Sequence, residues 1–225
     1  LIADAIKNKA ELIVTVGAVQ SNHARQTAAA CALKNIKCLI ILEQRLSKVP
    51  DVYMNSGNVF LDKLFGAEVN ICPKNEDFSK YTEKIIQNVK SKGTNVYFIP
   101  GGGSNSVGAL GYVECLNEII KKNNKYNFSH IIHATGSAGT QAGLLAGRKY
   151  FNCNIPVIGI CIRHKKDIQV SKVYDEAKNT CEKLRCNILD KSDVVVYDEY
   201  IGPGYGEPSD DMIEATRLLA KKEAI

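Results

Sequence analysis

The sequence lacks the cysteine and histidine spacing of a metal site. It contains eight cysteines but no C-x-x-C pair, and its four histidines are not spaced as metal ligands. Cys38, Cys72 and Cys161 fall within strand-like runs, where a free thiol behaves as a small apolar core residue. We therefore expect buried, reduced thiols in a cytoplasmic protein and no bound metal.

The chain also lacks long apolar runs and a dense basic face. No apolar stretch approaches the roughly 20 residues that cross a bilayer, and no signal-peptide pattern is present. The net charge of +5 is spread over scattered lysines without interleaved aromatic residues. With 45% hydrophobic and 24% charged residues, the composition is typical of a soluble globular protein. We predict neither a membrane nor a nucleic acid as a partner.

Short β-branched runs alternate with amphipathic segments along the whole chain. The strand candidates are residues 12–16, 38–42, 68–72, 96–99, 131–134, 157–162 and 194–197. The helical candidates between them are residues 22–34, 55–65, 81–92, 108–122, 141–150, 168–184 and 209–222. Continuous apolar strands separated by helices are typical of parallel sheets covered on both faces. The sequence therefore predicts an α/β fold.

A proline followed by three glycines, at residues 100–103, marks the predicted domain boundary. Such a run can turn sharply or act as a hinge. We expect residues 11–105 to form a smaller α/β lobe. Residues 1–10 and 106–225 would form a larger lobe, into which the smaller one is inserted.

The first candidate site segment, residues 17–26, follows the first strand candidate. Ser21 or Asn22 can cap the next helix, whose unpaired N–H groups favour an anion. Capping alone would explain a lone Ser–Asn pair. The four consecutive polar residues from Gln20 to His23 exceed what a cap requires. Arg25 could simply pair with an acid inside the lobe.

The second candidate segment follows the strand candidate at residues 131–134. It consists of the small residues Gly136, Ser137, Ala138, Gly139 and Thr140. Small residues allow successive backbone N–H groups to converge on a phosphate, and two of these residues add hydroxyl donors. A tight strand-to-helix turn without a ligand would look the same. The segment lacks both G-x-G-x-x-G and the lysine of a P-loop.

The third candidate segment, residues 200–208, is rich in glycine and proline. Gly204 and Gly206 flank Tyr205, which suggests an unusual backbone that projects the tyrosine ring into a space. A plain surface loop with an exposed tyrosine is the alternative.

Taken together, these segments resemble the D-cysteine desulfhydrase and 1-aminocyclopropane-1-carboxylate deaminase family. The resemblance spans essentially the whole chain in order and is carried by residues 17–26, 57–68, 100–105, 108–112, 135–147 and 203–206. It implies the architecture of fold-type-II pyridoxal-phosphate enzymes, similar to the tryptophan synthase β-subunit. That architecture has two lobes of parallel sheet covered by helices, with pyridoxal 5′-phosphate between them. Members are usually homodimers.

The resemblance also implies residue roles. Asn22 would hold the 3′-oxygen of the cofactor, and Gly136 to Thr140 would cradle its phosphate. The residues facing the carboxylate of a small amino-acid substrate would be Gln20, Ser21 and His23, at a helix N-terminus that suits an anion. Tyr205 would lie near the reacting carbon and the leaving group. Ser21 and Tyr205 are thus the candidate catalytic residues.

Two features depart from the family pattern. The family's Schiff-base lysine lies in a motif that directly precedes a segment like Leu1 to Ala5, so we expect the chain to start just after it. Without that lysine we expect this chain to be an inactive fragment of an active enzyme. We likewise expect that a C-terminal segment of the family is missing. Ala138 also stands where glycine is common, which we expect to be a mild change.

Several functions remain open at this stage. The first is D-cysteine desulfhydrase, favoured because Gly204 stands where the deaminases tend to carry an acid. The second is 1-aminocyclopropane-1-carboxylate deaminase. A truncated paralogue that binds a phosphorylated ligand without chemistry is a third. A nucleotide-binding oxidoreductase is disfavoured, because no dinucleotide fingerprint follows the first strand.

Overall fold

The computed structural model of the chain describes residues 1–46 and 49–224. The chain divides into two compact units, Leu1–Gly111 and Tyr112–Ile225. We had expected residues 1–10 in the larger lobe, whereas they lie in the first unit. There Ala5 is buried in the core, and the Tyr97 hydroxyl donates to Asp4 Oδ2 at 2.7 Å.

The first unit contains a four-stranded parallel sheet in the order β3-β2-β1-β4. Its strands are β1 (Leu12–Ala18), β2 (Lys37–Glu43), β3 (Glu68–Ile71) and β4 (Val96–Ile99). The helices of this unit are α1 (Ile2–Lys7), α2 (Asn22–Leu33), α3 (Asp51–Asn55), α4 (Gly57–Leu64) and α5 (Phe78–Ser91). The strand order reverses between β1 and β4. Ligands bind α/β sheets at the carboxyl ends of strands at such a point.

Helices cover both faces of this sheet. Successive strand side chains point to opposite faces, so Ile13 and Val14 belong to different core clusters. Ile13 and Ile40 pack with small residues of α2. Val14 and Ile41 pack against the apolar stripe of α5. Burial on both faces explains why the strands have continuous apolar sequences.

The second unit contains a three-stranded parallel sheet in the order β5-β6-β7. Its strands are β5 (Ile131–Thr135), β6 (Val157–Cys161) and β7 (Val195–Tyr197). The helices are α6 (Ser106–Tyr126), which begins in the first unit, α7 (Gly139–Tyr150), α8 (Lys166–Leu184) and α9 (Asp210–Glu223). Within the described ranges, no helix is long and apolar enough to span a membrane.

Helix α7 is the buried helix of the second unit, and two glycines allow its close approach to its neighbours. A Cβ on Gly147 would lie 3.1 Å from Leu116 Cδ2 of α6. A Cβ on Gly159 of β6 would collide with Gln141 Oε1, and Gln141 Nε2 donates to Val195 O of β7 at 2.8 Å. These contacts fix α7 on the sheet. The observed architecture confirms the predicted α/β fold of parallel sheets covered by helices.

Most cysteines contribute to the two cores. All eight cysteines lie in the described residues as free thiols, and the buried ones are Cys31, Cys38, Cys72, Cys161 and Cys181. The three thiols that we expected inside strands are therefore buried. Burial raises the pKa of the Cys72 and Cys161 thiols, so both stay neutral.

A carboxylate is buried in the core of the first unit. Asp62 of α4 is 0% exposed, and neither of its oxygens has a hydrogen-bond partner among the described residues. Burial raises the pKa of Asp62 to about 6, and the positive charge of Arg25 partly offsets this rise. The charge of Arg25 thus acts on an acid inside the lobe, but among the described residues the two side chains share no hydrogen bond.

We predict that Asp62→Asn stabilises the protein at pH 8 but not at pH 4.5. The folded-state pKa of about 6 lies above the ordinary value of 3.8. The stability linked to this proton is therefore fully present below pH 3.8 and lost as the pH rises through 6. Urea unfolding should show a gain on the order of 2 kcal/mol at pH 8.

The matched control is Glu83→Gln, which neutralises an exposed carboxylate of α5 in the same unit. We expect it to change the free energy of unfolding by less than about 0.5 kcal/mol at either pH. An equal gain for Asp62→Asn at both pH values would show that the buried charge is not the cause.

Candidate functional site

The turn from β1 into α2 is built on a close contact between Gly17 and Ser21. A Cβ on Gly17 would lie 2.7 Å from both Cβ and Oγ of Ser21, so this position requires glycine. Ser21 Oγ accepts a hydrogen bond from Ala24 N at 3.2 Å and caps α2. Capping uses the oxygen as an acceptor and leaves the hydroxyl proton to be donated elsewhere. The predicted cap is therefore compatible with a role for Ser21 toward a ligand.

The side chain of Gln20 joins this turn to the junction between α3 and α4. Its Nε2 donates to Tyr53 O at 2.5 Å and to Ser56 O at 3.1 Å, while its Oε1 accepts from Asn58 N at 2.9 Å. Both ends of the amide thus bind main chain. The role of Gln20 toward a substrate carboxylate stays a prediction, and its contacts within the unit are structural.

Asn22, the first residue of α2, is exposed, and a neighbour orients its side chain. Asn58 Nδ2 donates to Asn22 Oδ1 at 2.9 Å. Because the oxygen end of the Asn22 amide is engaged by a donor, its nitrogen end is the one that points away from Asn58. A donor is thereby held at the N-terminus of α2.

A hydrogen-bond relay runs from β4 through β1 to His23. Thr15 Oγ1 donates to Ile99 O at 3.0 Å and lies 2.7 Å from His23 Nε2. Since the Thr15 proton is used toward Ile99, the hydroxyl oxygen accepts from His23 Nε2–H. Thr15 is buried, and burial lowers the pKa of His23 to about 4. The ring is therefore neutral near pH 7, with its proton on Nε2.

This tautomer decides what His23 can offer a ligand. With Nε2–H directed at Thr15, the other nitrogen, Nδ1, carries a lone pair and acts as an acceptor. The ring lies beside the glycine run after β4, since a Cβ on Gly103 would be 3.5 Å from Nδ1. A neutral ring in this orientation does not donate to a carboxylate. The predicted proximity of His23 to a substrate carboxylate would therefore involve its main-chain N–H.

The loop between β5 and α7 has an unusual backbone. Ala138 has φ 89° and ψ −35°, in the region that favours glycine. We expected the replacement of glycine by alanine here to be mild, whereas this conformation carries a strain of order 1–3 kcal/mol for a side chain. A Cβ on Gly136 would lie 3.0 Å from Ile162, so this position is also tightly packed.

The β5–α7 loop carries a set of donors suited to an anion. Among the described residues, no side chain caps α7 at Ala138. The amide groups of the first turn of this 12-residue helix and the hydroxyls of Ser137 and Thr140 are donors at its positive end. Beneath the loop, Gln169 Nε2 donates to the buried Thr135 Oγ1 at 2.9 Å. Donors of this kind suit an anion, and the role of this loop toward a phosphate stays a prediction.

The loop after β7 places Tyr205 in a short hairpin-like turn. Gly204 and Glu207 form a bridge, with Glu207 N donating to Gly204 O at 3.2 Å. Gly206, which follows the tyrosine, has a φ of 83°, whereas Gly204 and Tyr205 themselves do not have a positive φ. The Tyr205 side chain is 39% exposed. Such exposure suits a residue that contacts a ligand, although a surface tyrosine looks similar.

The predicted site residues form one group in each unit. Gln20 to His23 follow β1 in the first unit, while Gly136 to Thr140 and the Tyr205 loop follow β5 and β7 in the second. Sequence reasoning overlooked Thr15 and Asn58. A lone threonine in an apolar strand was a signal for Thr15, and Asn58 lies in the segment 57–68 that resembles the family.

Comparison with known proteins places the chain in a family. Residues 1–225 match the family described as pyridoxal-phosphate dependent enzyme. A crystal structure described as an ACC deaminase homologue is 30% identical, with a TM-score of 0.87. The match covers 100% of this chain and 66% of that protein. The chain therefore spans just under two thirds of this relative's length.

Two more distant structures share the fold. A hydrogen sulfide-producing enzyme from Fusobacterium nucleatum is 19% identical, with a TM-score of 0.62 over 100% of this chain and 71% of that one. A pyridoxal 5′-phosphate-dependent aspartate racemase is 15% identical, with a TM-score of 0.65 over 100% of this chain and 66% of that one. At these identities the likeness concerns the fold alone.

We predict that the ring of His23 stays neutral above about pH 5, protonated on Nε2, and that Thr15→Val abolishes this preference. Valine removes the acceptor, so the buried Nε2–H loses its partner and the proton can move to Nδ1. Imidazole ¹⁵N chemical shifts between pH 4 and 8 would distinguish the two tautomers.

Thr27→Val is the control for this experiment. The Thr27 hydroxyl donates to the main-chain oxygen of His23 at 3.0 Å and does not contact the ring through this bond. This variant should keep the Nε2–H tautomer. Detection of an Nδ1–H ring in the unsubstituted protein would refute the relay.

Proposed function

Because the chain belongs to the pyridoxal-phosphate dependent enzyme family, we propose that it supplies the cofactor- and substrate-binding residues of a lyase or deaminase for a small amino acid. The substrate that we favour is D-cysteine. Elimination of sulfide followed by hydrolysis would convert it to pyruvate, hydrogen sulfide and ammonia. The observation that carries the proposal is the run of small residues between β5 and α7, which places main-chain amides and two hydroxyl groups at the positive end of a buried helix. A homodimer and a cytoplasmic location stay predictions.

The residues present fit the cofactor's phosphate. We assign the phosphate to the β5–α7 loop, whose members are Gly136, Ser137, Ala138, Gly139 and Thr140. The helix dipole, the main-chain amides and the hydroxyls all favour a dianion at this position. Ala138 has a φ of 89°, which is strained for a residue with a side chain. A role in directing a main-chain N–H at the phosphate would explain this strain.

The residues after β1 would bind the rest of the cofactor and the substrate. Bound pyridoxal phosphate supplies an electron sink for the charge that develops at the substrate's α-carbon. Asn22 Nδ2 would donate to the 3′-oxygen of the cofactor. The Ser21 hydroxyl and the first main-chain amides of α2 would hold the substrate carboxylate, since the positive end of this helix favours an anion.

Tyr205 would act as a proton donor to the leaving group. Its hydroxyl can donate a proton to the departing sulfur of D-cysteine, which makes hydrosulfide a better leaving group. Gly206, which follows this tyrosine, has a φ of 83°, a conformation that glycine adopts without strain. Gly204 precedes this tyrosine, which favours the desulfhydrase, because the deaminases that the chain resembles tend to carry an acid there.

A second candidate function is 1-aminocyclopropane-1-carboxylate deaminase, in which water and ring opening give 2-oxobutyrate and ammonia. The observation that favours it is the 30% identity to the structure described as an ACC deaminase homologue. The two reactions share the cofactor, the carboxylate contact and a proton transfer. They differ in the bond that breaks, which is the carbon–sulfur bond in D-cysteine and a carbon–carbon bond of the ring in 1-aminocyclopropane-1-carboxylate.

We predict that the protein carrying this chain, expressed at its natural length, releases sulfide and pyruvate from D-cysteine. Sulfide and 2-oxobutyrate would be measured in parallel with D-cysteine, L-cysteine and 1-aminocyclopropane-1-carboxylate as substrates. Release of 2-oxobutyrate without sulfide would select the deaminase. Cofactor binding without either product would favour a noncatalytic binder.

We predict that Thr140→Val weakens binding of pyridoxal phosphate about tenfold but leaves binding of unphosphorylated pyridoxal unchanged. A hydrogen bond to a charged group is lost only when the phosphate is present. Fluorescence titration with both compounds would measure the effect. Thr216→Val, an exposed threonine of α9 whose hydroxyl donates to Met212 O at 2.8 Å, serves as the control. If Thr140→Val weakened the binding of pyridoxal phosphate and of pyridoxal equally, the assignment of the phosphate to this loop would be wrong.

A further inference from the structure

Asn58, the second residue of α4, binds the turn after β1 through three hydrogen bonds. Its main-chain N–H donates to Gln20 Oε1 at 2.9 Å. Its side-chain Nδ2 donates to Gln20 O at 3.0 Å and to Asn22 Oδ1 at 2.9 Å. Both hydrogens of this side-chain amide are therefore committed to the turn that carries the candidate site.

Gln20 and Gly57 fix the position from which Asn58 acts. Gln20 Nε2 holds the main-chain oxygens of Tyr53 and Ser56, at either side of the α3–α4 junction. Gly57 has φ 58°, and a Cβ there would lie 2.6 Å from Gln20 Oε1. The start of α4 is thus held against the turn by contacts that leave no room for a side chain at residue 57.

The contact with Asn58 decides the direction of the Asn22 amide. An asparagine side chain can present its oxygen or its nitrogen after a half-turn, and the two ends have opposite hydrogen-bonding character. A donor at Asn58 Nδ2 requires the Asn22 oxygen at that end. The Asn22 nitrogen must then point to the opposite side as a donor.

We propose that Asn58 is a positioning residue, which keeps the donor end of the Asn22 amide directed at the 3′-oxygen of bound pyridoxal phosphate. This inference rests on the proposed function, in which Asn22 contacts that oxygen. The 3′-oxygen of the cofactor is negatively charged or a strong acceptor, so only the nitrogen end of Asn22 stabilises it. Asn58 acts through Asn22 and does not itself touch the cofactor.

The variant that tests this role is Asn58→Asp. A carboxylate cannot donate, so it repels Asn22 Oδ1 and favours the reversed amide, with the donor turned away from the cofactor. The main-chain bond to Gln20 Oε1 survives the change, whereas the side-chain bond to Gln20 O is lost together with the bond to Asn22. An aspartate in the first turn of α4 also suits the helix dipole, so the variant should fold.

We predict that Asn58→Asp weakens binding of pyridoxal phosphate about tenfold. It should also change the ratio of the visible to the near-ultraviolet absorption band of the bound cofactor, because that ratio follows the charge on the 3′-oxygen. Both would be measured by absorbance titration of the protein at its natural length. Asn58→Ala, which removes the donor without adding charge, should have a smaller effect in the same direction.

Asn70→Asp is the matched control, because it makes the same change at a residue of β3 whose side chain donates to Glu68 Oε1 at 3.4 Å. It should leave both readouts unchanged. The second control is a double-mutant cycle with Asn22→Ala. If Asn58 acts mainly through Asn22, Asn58→Asp should have a much smaller effect on both readouts in the Asn22→Ala background, where only the lost bond to Gln20 O remains.

The outcomes separate this inference from the proposed function. If Asn22→Ala alone leaves cofactor affinity and spectrum unchanged, the assignment of Asn22 to the cofactor fails. If Asn22→Ala weakens binding but Asn58→Asp and Asn58→Ala do not, the positioning role is refuted while the function stands. Equal effects of Asn58→Asp with and without Asn22 would also overturn it. Should Asn58→Asp lose its thermal unfolding transition, Asn58→Ala carries the same cycle.

Discussion

The side-chain amide of Gln20 is the contact on which the site of the first unit depends. It bridges sequence separations of 33 and 36 residues to reach the α3–α4 junction. Ser21, Asn22 and His23 follow it directly, so their positions are fixed by the same bonds. A single glutamine side chain thus ties the turn between β1 and α2 to a segment more than 30 residues away in sequence. Rigid support of this kind is what a binding site requires from residues outside it.

The features that depend on local sequence pattern, namely the strands and the positions of the candidate site segments, could be predicted from the sequence. Parallel strands covered on both faces read as continuous apolar runs, so all seven strand candidates appear in the two sheets. Parallel strands also gather their carboxyl ends at one edge. For that reason the polar turn after β1 and the small-residue loop after β5 could be recognised as site candidates from their positions in the sequence.

The remaining features of the site depend on contacts between distant residues. No local rule predicts that Thr15 uses its proton toward Ile99 and thereby fixes the tautomer of His23. Nor does a local rule predict that Asn58 orients Asn22. The conformation of Ala138 was overlooked for another reason. Composition identifies small residues, but only the path of the backbone reveals which of them must adopt a positive φ.

Each of the two units contains buried cysteines whose reactivity can report when that unit opens. Cys31, Cys38 and Cys72 lie inside the first unit, and Cys161 and Cys181 lie inside the second. A thiol reagent reaches such side chains only when the surrounding structure opens. Labelling rates at these native cysteines would therefore follow the opening of each unit separately, without an introduced probe. Cofactor binding would slow the labelling of whichever unit it holds closed.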